Sequence, residues 1–415
     1  MQDSWGKVGP TLVALQDEAL TTDAAQVAAP TSPPARRRRK MLRAWAILIA
    51  VLALLFVIAD VSVGCYYASQ INNDGFVVSN DPDEFDLRVE TAGEALITLR
   101  HTGESEDLLD PAMWGVVTSE GYGRLGSIVG SDASTVTREF ILIDGTITAG
   151  QPARLDKYAY PGDPLTARGL AFEEVTYDPP LGPMAAWYIA GSTDTWVIFV
   201  HGKGATRAEA IRALGPISAA GAHALVISYR NDAGAPADRS GKYQYGLTEW
   251  EDLEAAAHYA KNHGAQKIVV VGYSMGGSIA MSFMRNSLLA ADVTGIVLDA
   301  PMLDFAATVD YAGERRGLPG FVTWTAKVIG GWRYGIDWDG LDYIKDAAEV
   351  KVPVLIFHGD ADRKVPITTS REAASKAPVE VRFKEFPGAQ HTAAWNTDAA
   401  RYESEITLFI VRMTE

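Results

Sequence analysis

Cysteine is nearly absent from this chain: Cys65 is the single one in 415 residues. An internal disulfide framework, a Cys-based zinc site and an iron–sulfur cluster are thereby excluded. Histidine is scarce as well, with seven in all, so a histidine-dependent site has few candidates. Positive charge is also in short supply, with 37 Lys and Arg against 52 Asp and Glu and a formal charge of −15. That balance argues against nucleic acid as a partner, because phosphate binding needs clustered cations. A disordered composition is missing too: 47% of residues are hydrophobic and 21% charged, ample material for a core. The length fits two or three domains, although one α/β domain can occupy about 250 residues.

The few cations are unevenly placed. Residues 1–43 hold seven Lys and Arg and four Asp and Glu, a net of +3, and the rest of the chain has a net of −18. The sign changes at residues 44–59, a run of 16 residues without a charge (AWAILIAVLALLFVIA). Trp45 and Tyr66 stand 21 residues apart. As a helix this spacing covers about 32 Å, close to the hydrocarbon thickness of a bilayer, with aromatic rings at both interfaces. Arg36 to Arg39, Lys40 and Arg43 flank one end, and no Lys or Arg follows before Arg88. The positive-inside rule then places the N-terminus in the cytoplasm and the chain after residue 67 outside. The sequence predicts a mostly disordered cytoplasmic tail over 1–40 and a single transmembrane helix over 41–67. Asp60 is expected near the far interface, where its charge reaches water. A buried core helix would not usually follow five consecutive cations, and a cleaved signal peptide would need an unusually long n-region.

Residues 68–170 read as a β-rich region preceding the main domain. Short alternating runs at 94–99, 115–117 and 139–143 are separated by Gly, Asp and Ser clusters. No chemical motif stands out there. From about 171 the pattern changes to apolar runs at 196–200, 224–229, 268–271, 295–298 and 354–357. Runs apolar on both faces suit a parallel sheet covered by helices. Between them, Thr206 with Glu209, Thr248 with Glu251, and Thr369 with Glu372 are expected to form capping boxes. The fold class expected for 171–415 is therefore α/β, a doubly wound, mostly parallel sheet.

The most informative stretch is 268–277, IVVVGYSMGG. It reads as a strand, then Gly-x-Ser-x-Gly, then a helix. A serine on so sharp a turn has its hydroxyl thrust out above the sheet, and the helix N-terminus offers free N–H groups to an oxyanion. Ser274 is the candidate nucleophile; the bland alternative is a structural turn serine. A serine needs a base. Of the seven histidines only His391 lies after all the core strands, in the loop following the run 380–386. The order nucleophile, acid, histidine then calls for a carboxylate at a strand end between them. Asp362 is the first choice, Asp360 the fallback, and Asp299 a distant third. The Gly-rich loop 201–204 (HGKG) follows the strand at 196–200, and its Lys203 N–H, with that of Met275, is the candidate oxyanion hole. His201 itself reads as structural. No cofactor and no metal site is expected.

Together these segments resemble the α/β-hydrolase superfamily: HGKG, GYSMGG, HGDADRKVP and GAQHTAAW stand in its order of oxyanion loop, nucleophile elbow, acid loop and histidine loop. The chain is most similar to the serine-aminopeptidase or monoacylglycerol-lipase-like branch, in particular to membrane-anchored hydrolases of actinobacteria. The resemblance covers about residues 171–412 and implies hydrolysis of an ester, thioester or peptide without a cofactor. It also implies a small lid at about 304–345. The lid aromatics, among them Phe305, Tyr311, Phe321, Trp324 and Trp332, suit either an acyl pocket or the lid's own core. The expected activity is that of a membrane-anchored serine hydrolase on a small-molecule acyl substrate. A serine peptidase on short peptides and a catalytically idle, membrane-tethered binding module remain as alternatives. Cys65 can be free, lipidated or bridged to another chain.

Overall fold

The computed structural model describes residues 35–80, 84–101, 106–378 and 380–415. The chain divides into two compact units, Met1–Ile58 and Ala59–Glu415. Helix α1 runs over Ala35–Gln70 and continues as a π turn over Ile71–Phe76. It starts before, and ends after, the span 41–67 expected from the sequence. Residues 1–34 of the expected disordered tail lie outside the described residues. Leu42, Ile47, Leu52 and Phe56 are exposed along α1. The described residues hold one helix long and apolar enough to cross a membrane, with a mean hydropathy of 2.8 in its most apolar window.

Asp60 departs from expectation. Instead of reaching for water it is half-buried, and its Oδ2 accepts a 2.8 Å hydrogen bond from the Thr325 hydroxyl. A buried carboxylate needs such a donor, since desolvation without one is costly.

The β-rich region is a closed antiparallel barrel of six strands. They are β1 (Leu87–Ala92), β2 (Leu96–His101), β3 (Trp114–Val117), β4 (Gly121–Ser131), β5 (Thr135–Gly145) and β6 (Pro152–Asp156), paired in the order β1-β2-β5-β4-β3-β6. Alternate side chains (Val89, Ile97, Leu99, Val116, Leu125 and Phe140) fill its interior. Closure leaves no open edge to pair with other chains. Arg138 is fully buried and donates to the carbonyl oxygens of Asp110 (2.8 Å) and Gly126 (2.9 Å).

The second part of the unit carries an eight-stranded sheet: β7 (Glu173–Tyr177), β8 (Met184–Ile189), β9 (Thr195–Val200), β10 (His223–Ile227), β11 (Lys267–Tyr273), β12 (Val293–Asp299), β13 (Val354–Gly359) and β14 (Val381–Phe386). Its order is β14-β13-β12-β11-β9-β10-β8-β7, parallel from β14 to β10 and antiparallel at β8. The helices are α2 (Pro164–Arg168), α3 (Ile211–Ala219), α4 (Trp250–Asn262), α5 (Met275–Asn286), α6 (Phe305–Arg315), α7 (Gly320–Tyr334), α8 (Ile367–Lys376), α9 (Ala394–Thr397) and α10 (Ala399–Thr414). In β9, Trp196, Ile198 and Val200 pack with Leu253 of α4 and Ile279 of α5. Val197 and Phe199 pack on the other face with Leu214 of α3 and Phe409 of α10. Both faces are covered, which is why the strands read as continuous apolar runs.

The three expected capping boxes do not form. Thr248 donates to Asp238, and Glu251 pairs with Arg230. Thr369 lies inside α8 and donates to the Pro366 carbonyl. Thr206 caps the short 3-10 helix Arg207–Ala210 by accepting from Ala208 N, but the Glu209 carboxylate is drawn to the Gly202 N–H at 2.8 Å. Tertiary partners take Thr248, Glu251 and Glu209, whereas Thr206 and Thr369 keep local backbone partners. The segment expected to form a lid holds α6 and α7. Its aromatics split three ways: Phe305 is buried, Tyr311 donates to the Asp362 carbonyl, and Trp324 and Trp332 are exposed.

Candidate active site

Ser274 sits between β11 and α5 with φ 49 and ψ −113, a conformation that L residues avoid and that costs on the order of 1–3 kcal/mol. Three backbone hydrogen bonds hold it there: Ser274 N to Asp299 O (2.9 Å), Gly277 N to Ser274 O (2.9 Å) and Met302 N to Ser274 O (3.1 Å). The flanking glycines are steric necessities. A Cβ on Gly272 would stand 2.5 Å from Gly276 O, and one on Gly276 would collide with Val200 O. The elbow is therefore packed directly on the end of β9.

His391 follows β14 and brings its Nε2 to 2.9 Å from Ser274 Oγ, with Nδ1 2.7 Å from Asp362 Oδ2. With a proton on Nδ1 toward the carboxylate, the Nε2 lone pair faces the serine hydroxyl. Asp362, at the end of β13, is buried, and its Oδ1 accepts from Lys364 N (2.8 Å) and Val365 N (2.9 Å). Burial by itself would raise its pKa, but the attraction of His391 and the hydrogen bonds from His358 and His391 hold it far below the usual carboxylate value. His391 moves down from the usual 6.5: burial penalises the imidazolium, Asp362 pulls the other way, and the Lys364 and Lys157 ammonium groups add repulsion.

The other acid candidates have different tasks. Asp360 is exposed, and its Oδ1 accepts from Gly388 N at 2.7 Å, shaping the turn ahead of His391. Asp299 is buried behind the elbow, where desolvation pushes its carboxyl up to about 6 despite the nearby Arg212. His201 is held between Asp232 (2.8 Å) and the Gly202 carbonyl (2.9 Å), away from Ser274's hydrogen bond. The loop that contains it passes beside the serine: a Cβ on Gly202 would lie 3.1 Å from Ser274 Cβ. Met275 N–H opens α5, where the first amides have no partner within the helix. The Lys203 side chain turns away and donates to the Asp74 carbonyl at 2.6 Å.

Sequence reasoning missed the surroundings. A cavity of about 760 Å³ opens at His391, and one of its walls is the barrel, through Trp114, Arg154, Lys157 and Tyr158. Lys203, Arg363 and Lys364 line it too, against four carboxylates that include Asp107 and Asp156. Lys364 lies within the segment HGDADRKVP, but nothing in that segment says which way its side chain turns. Also unforeseen is the support of the histidine loop. Buried Arg212 of α3 donates to Thr392 O and to Asn396 Oδ1, both at 2.7 Å, and Asn396 Nδ2 donates to Met113 O and Lys157 O, again at 2.7 Å. Met113 N returns a bond to Asn396 O at 2.9 Å.

A serine on a strand-to-helix elbow, hydrogen-bonded to a histidine that is hydrogen-bonded to a strand-end aspartate, on a parallel sheet covered by helices, is the frame of a hydrolase. The chain belongs to the alpha/beta hydrolase family, whose family model matches residues 197–405, half of its length. Among curated relatives it is 26% identical over 227 residues to the human Protein ABHD12B, spanning 51% of this chain and 60% of that one. It is 42% identical over 50 residues to a non-heme haloperoxidase of Rhodococcus erythropolis, 12% of this chain and 18% of the relative. The chain thus spans less than two thirds of the length of these curated relatives. Among solved structures, the Pyrococcus furiosus esterase Pf2001 aligns with a TM-score of 0.48 at 17% identity, over 60% of this chain and 93% of that one. The Paleococcus ferrophilus monoacylglycerol lipase aligns with a TM-score of 0.42 at 16% identity, over 55% and 99%.

Proposed function

We propose that the protein is a membrane-anchored serine hydrolase that cleaves a carboxylic ester through an acyl-enzyme. The observation that carries this reading is the continuous hydrogen-bonded line from Ser274 Oγ through His391 to Asp362, at 2.9 and 2.7 Å. Ser274 Oγ attacks the acyl carbon while His391 Nε2 takes its proton, and the imidazolium so formed is stabilised by Asp362. The carbonyl oxygen gains negative charge, for which the amides of Met275 and Lys203 are the donors we assign. His391 returns the proton to the leaving alcohol. Water then attacks the acyl-serine with His391 as base again, releasing the acid and restoring the serine hydroxyl.

The apolar run 44–59 within α1, with its cations on one side only, supports an anchor that leaves the catalytic unit outside the cytoplasm. A fluorophosphonate probe applied to the full chain, with the modified peptide mapped by mass spectrometry, tests the chemistry. Labelling is expected at Ser274 and is expected to vanish in Ser274→Ala and His391→Ala, along with turnover of simple esters. A folded, unlabelled wild-type protein would overturn the reading in favour of a binding module.

A further inference from the structure

Helix α7 of the lid carries three exposed apolar side chains at four-residue spacing: Trp324 (63% exposed), Val328 (51%) and Trp332 (85%). Residues four apart on a helix share a face, so these three form one stripe. Such a stripe is costly in water and is not explained by the lid's own packing, which uses Val322, Thr323 and Ala326. Next to the stripe, α7 is fastened to the continuation of α1. Thr325 donates its hydroxyl to Asp60, and a Cβ on Gly64 would lie 2.6 Å from the Thr325 methyl and 3.2 Å from Ile329 Cδ1. The glycine allows the two helices to touch. The other Asp60 oxygen is buried without a hydrogen-bond partner among the described residues, so Thr325 is what makes its burial tolerable.

These contacts fix the height of the stripe. Asp60 directly follows the uncharged run 44–59. At about 1.5 Å per residue, residues 60–64 lie within about 8 Å of its end, the depth of a headgroup layer. Trp324 adjoins Thr325 in sequence and therefore sits at the same level. Tryptophan is the residue that favours this layer most, and an apolar helical face can sink about 5–10 Å into it.

We propose that α7 is an interfacial helix, clamped to its own anchor by Asp60 and Thr325, whose Trp324–Val328–Trp332 face lies on the lipid surface. This inference rests on the membrane-anchor reading above. Its consequence concerns the substrate. Tyr66, Tyr67, Ile71, Phe305, Val309 and Ala326 are among the walls of a largely apolar cleft of about 510 Å³ between residues 66–75 and helices α6 and α7. Arg363 and Lys364 line both this cleft and the cavity at His391. With α7 on the bilayer the cleft opens at the lipid surface, and the ester that enters it is a membrane-resident one, its acyl chain in the cleft.

The test uses the full chain with Cys65→Ser, reconstituted in vesicles of mixed zwitterionic and anionic phospholipid. A nitroxide is attached through Trp324→Cys, with Ile47→Cys and Lys376→Cys as references. Oxygen is expected to relax the label at 324 more effectively than an aqueous nickel complex does, as at 47 and opposite to 376. A water-like response at 324 while 47 responds as in lipid overturns the proposal and leaves the anchor standing; a water-like response at 47 overturns the anchor itself. Spin–spin broadening at 324 would show a second copy on the face and also overturn it. In parallel, Trp324→Ser with Trp332→Ser is expected to hydrolyse a short soluble ester normally and a vesicle-borne ester about tenfold more slowly. Equal losses on both esters would remove the link to membrane substrates, whereas absence of ester hydrolysis in the unaltered protein would count against the hydrolase reading and leave the label result intact.

Discussion

At the scale of single residues, His391 is the one whose chemistry the surroundings tune most clearly. It lies under opposed influences: burial and the ammonium groups of Lys364 and Lys157 disfavour its charged form, and Asp362 favours it. The net displacement is downward from 6.5, so the ring is neutral and basic at neutral pH. As the proposed base, His391 must be unprotonated to act, so activity is expected to be lost as pH falls through the lowered pKa. The acid limb of kcat/KM is therefore expected below pH 6.5, the usual value. Lys364→Met removes a repelling charge, stabilises the imidazolium and should move that limb to higher pH; a pH–rate profile of both proteins on a neutral ester reads the shift. An unchanged limb would mean that Lys364 does not act on the histidine. Ser274, His391 and Asp362, the triad proposed above, could be singled out as candidates from sequence because their order along the chain and their places after strands are local properties. Asp362 over Asp360 was the harder choice. Only the fold shows Asp360 spent on the Gly388 amide and Asp362 turned to the ring.

At the scale of elements, the nucleophile elbow joins sequence to geometry most directly. Gly272 and Gly276 are small because β11, α5 and the end of β9 converge there, and a methyl on Gly276 would press on two backbone oxygens, those of Val200 and His201. Backbone cannot step aside as a flexible side chain can. Gly276→Ala is expected to destabilise the protein by about 1–3 kcal/mol and to displace Ser274, measured as a lower unfolding midpoint together with slower probe labelling. Normal labelling at unchanged stability would show that the elbow has slack. The helix after the elbow was legible from the Gly-x-Ser-x-Gly motif, but the capping boxes expected for other helices did not form. Thr206 caps on its own, its partner Glu209 having become the buried acceptor for Gly202 N; Thr248 turned to Asp238, and Thr369 lies inside α8 on the Pro366 carbonyl. A capping box depends on four residues acting alone, whereas Thr248, Glu251 and Glu209 are claimed by other chain segments.

At the scale of the molecule, the histidine loop is not carried by the sheet alone. Arg212 fixes Thr392 and Asn396 from one side, and Asn396 ties the loop to Met113 and Lys157 from the other. Met113 directly precedes strand β3 and Lys157 directly follows β6, so the link runs to the barrel. Asn396→Ala strands the partly buried Met113 and Lys157 carbonyls and one donor of buried Arg212. A loss of about 1–3 kcal/mol in stability is expected, read by denaturant unfolding, with kcat lowered because the support of His391 loosens. Stability and turnover both equal to wild type would show that barrel and loop are energetically independent.

The sequence by itself determined the apolar run 44–59, the alternation of strand and helix, the elbow, and the chain order of the candidate serine, acid and histidine. Each of these is written in near neighbours: a charge-free stretch, a two-sided apolar strand, a glycine beside a serine. Only the tertiary structure decided that the β-rich region closes into a barrel and walls the cavity at His391. The same holds for the cations that gather there from residues 154 to 364, and for the bond that fastens α7 to α1 at Asp60. Those features depend on contacts between residues far apart in the chain, from Leu87 with Ala153 in the barrel to Asp60 with Thr325, and no local pattern encodes which distant partner a side chain will meet once the chain has closed around it.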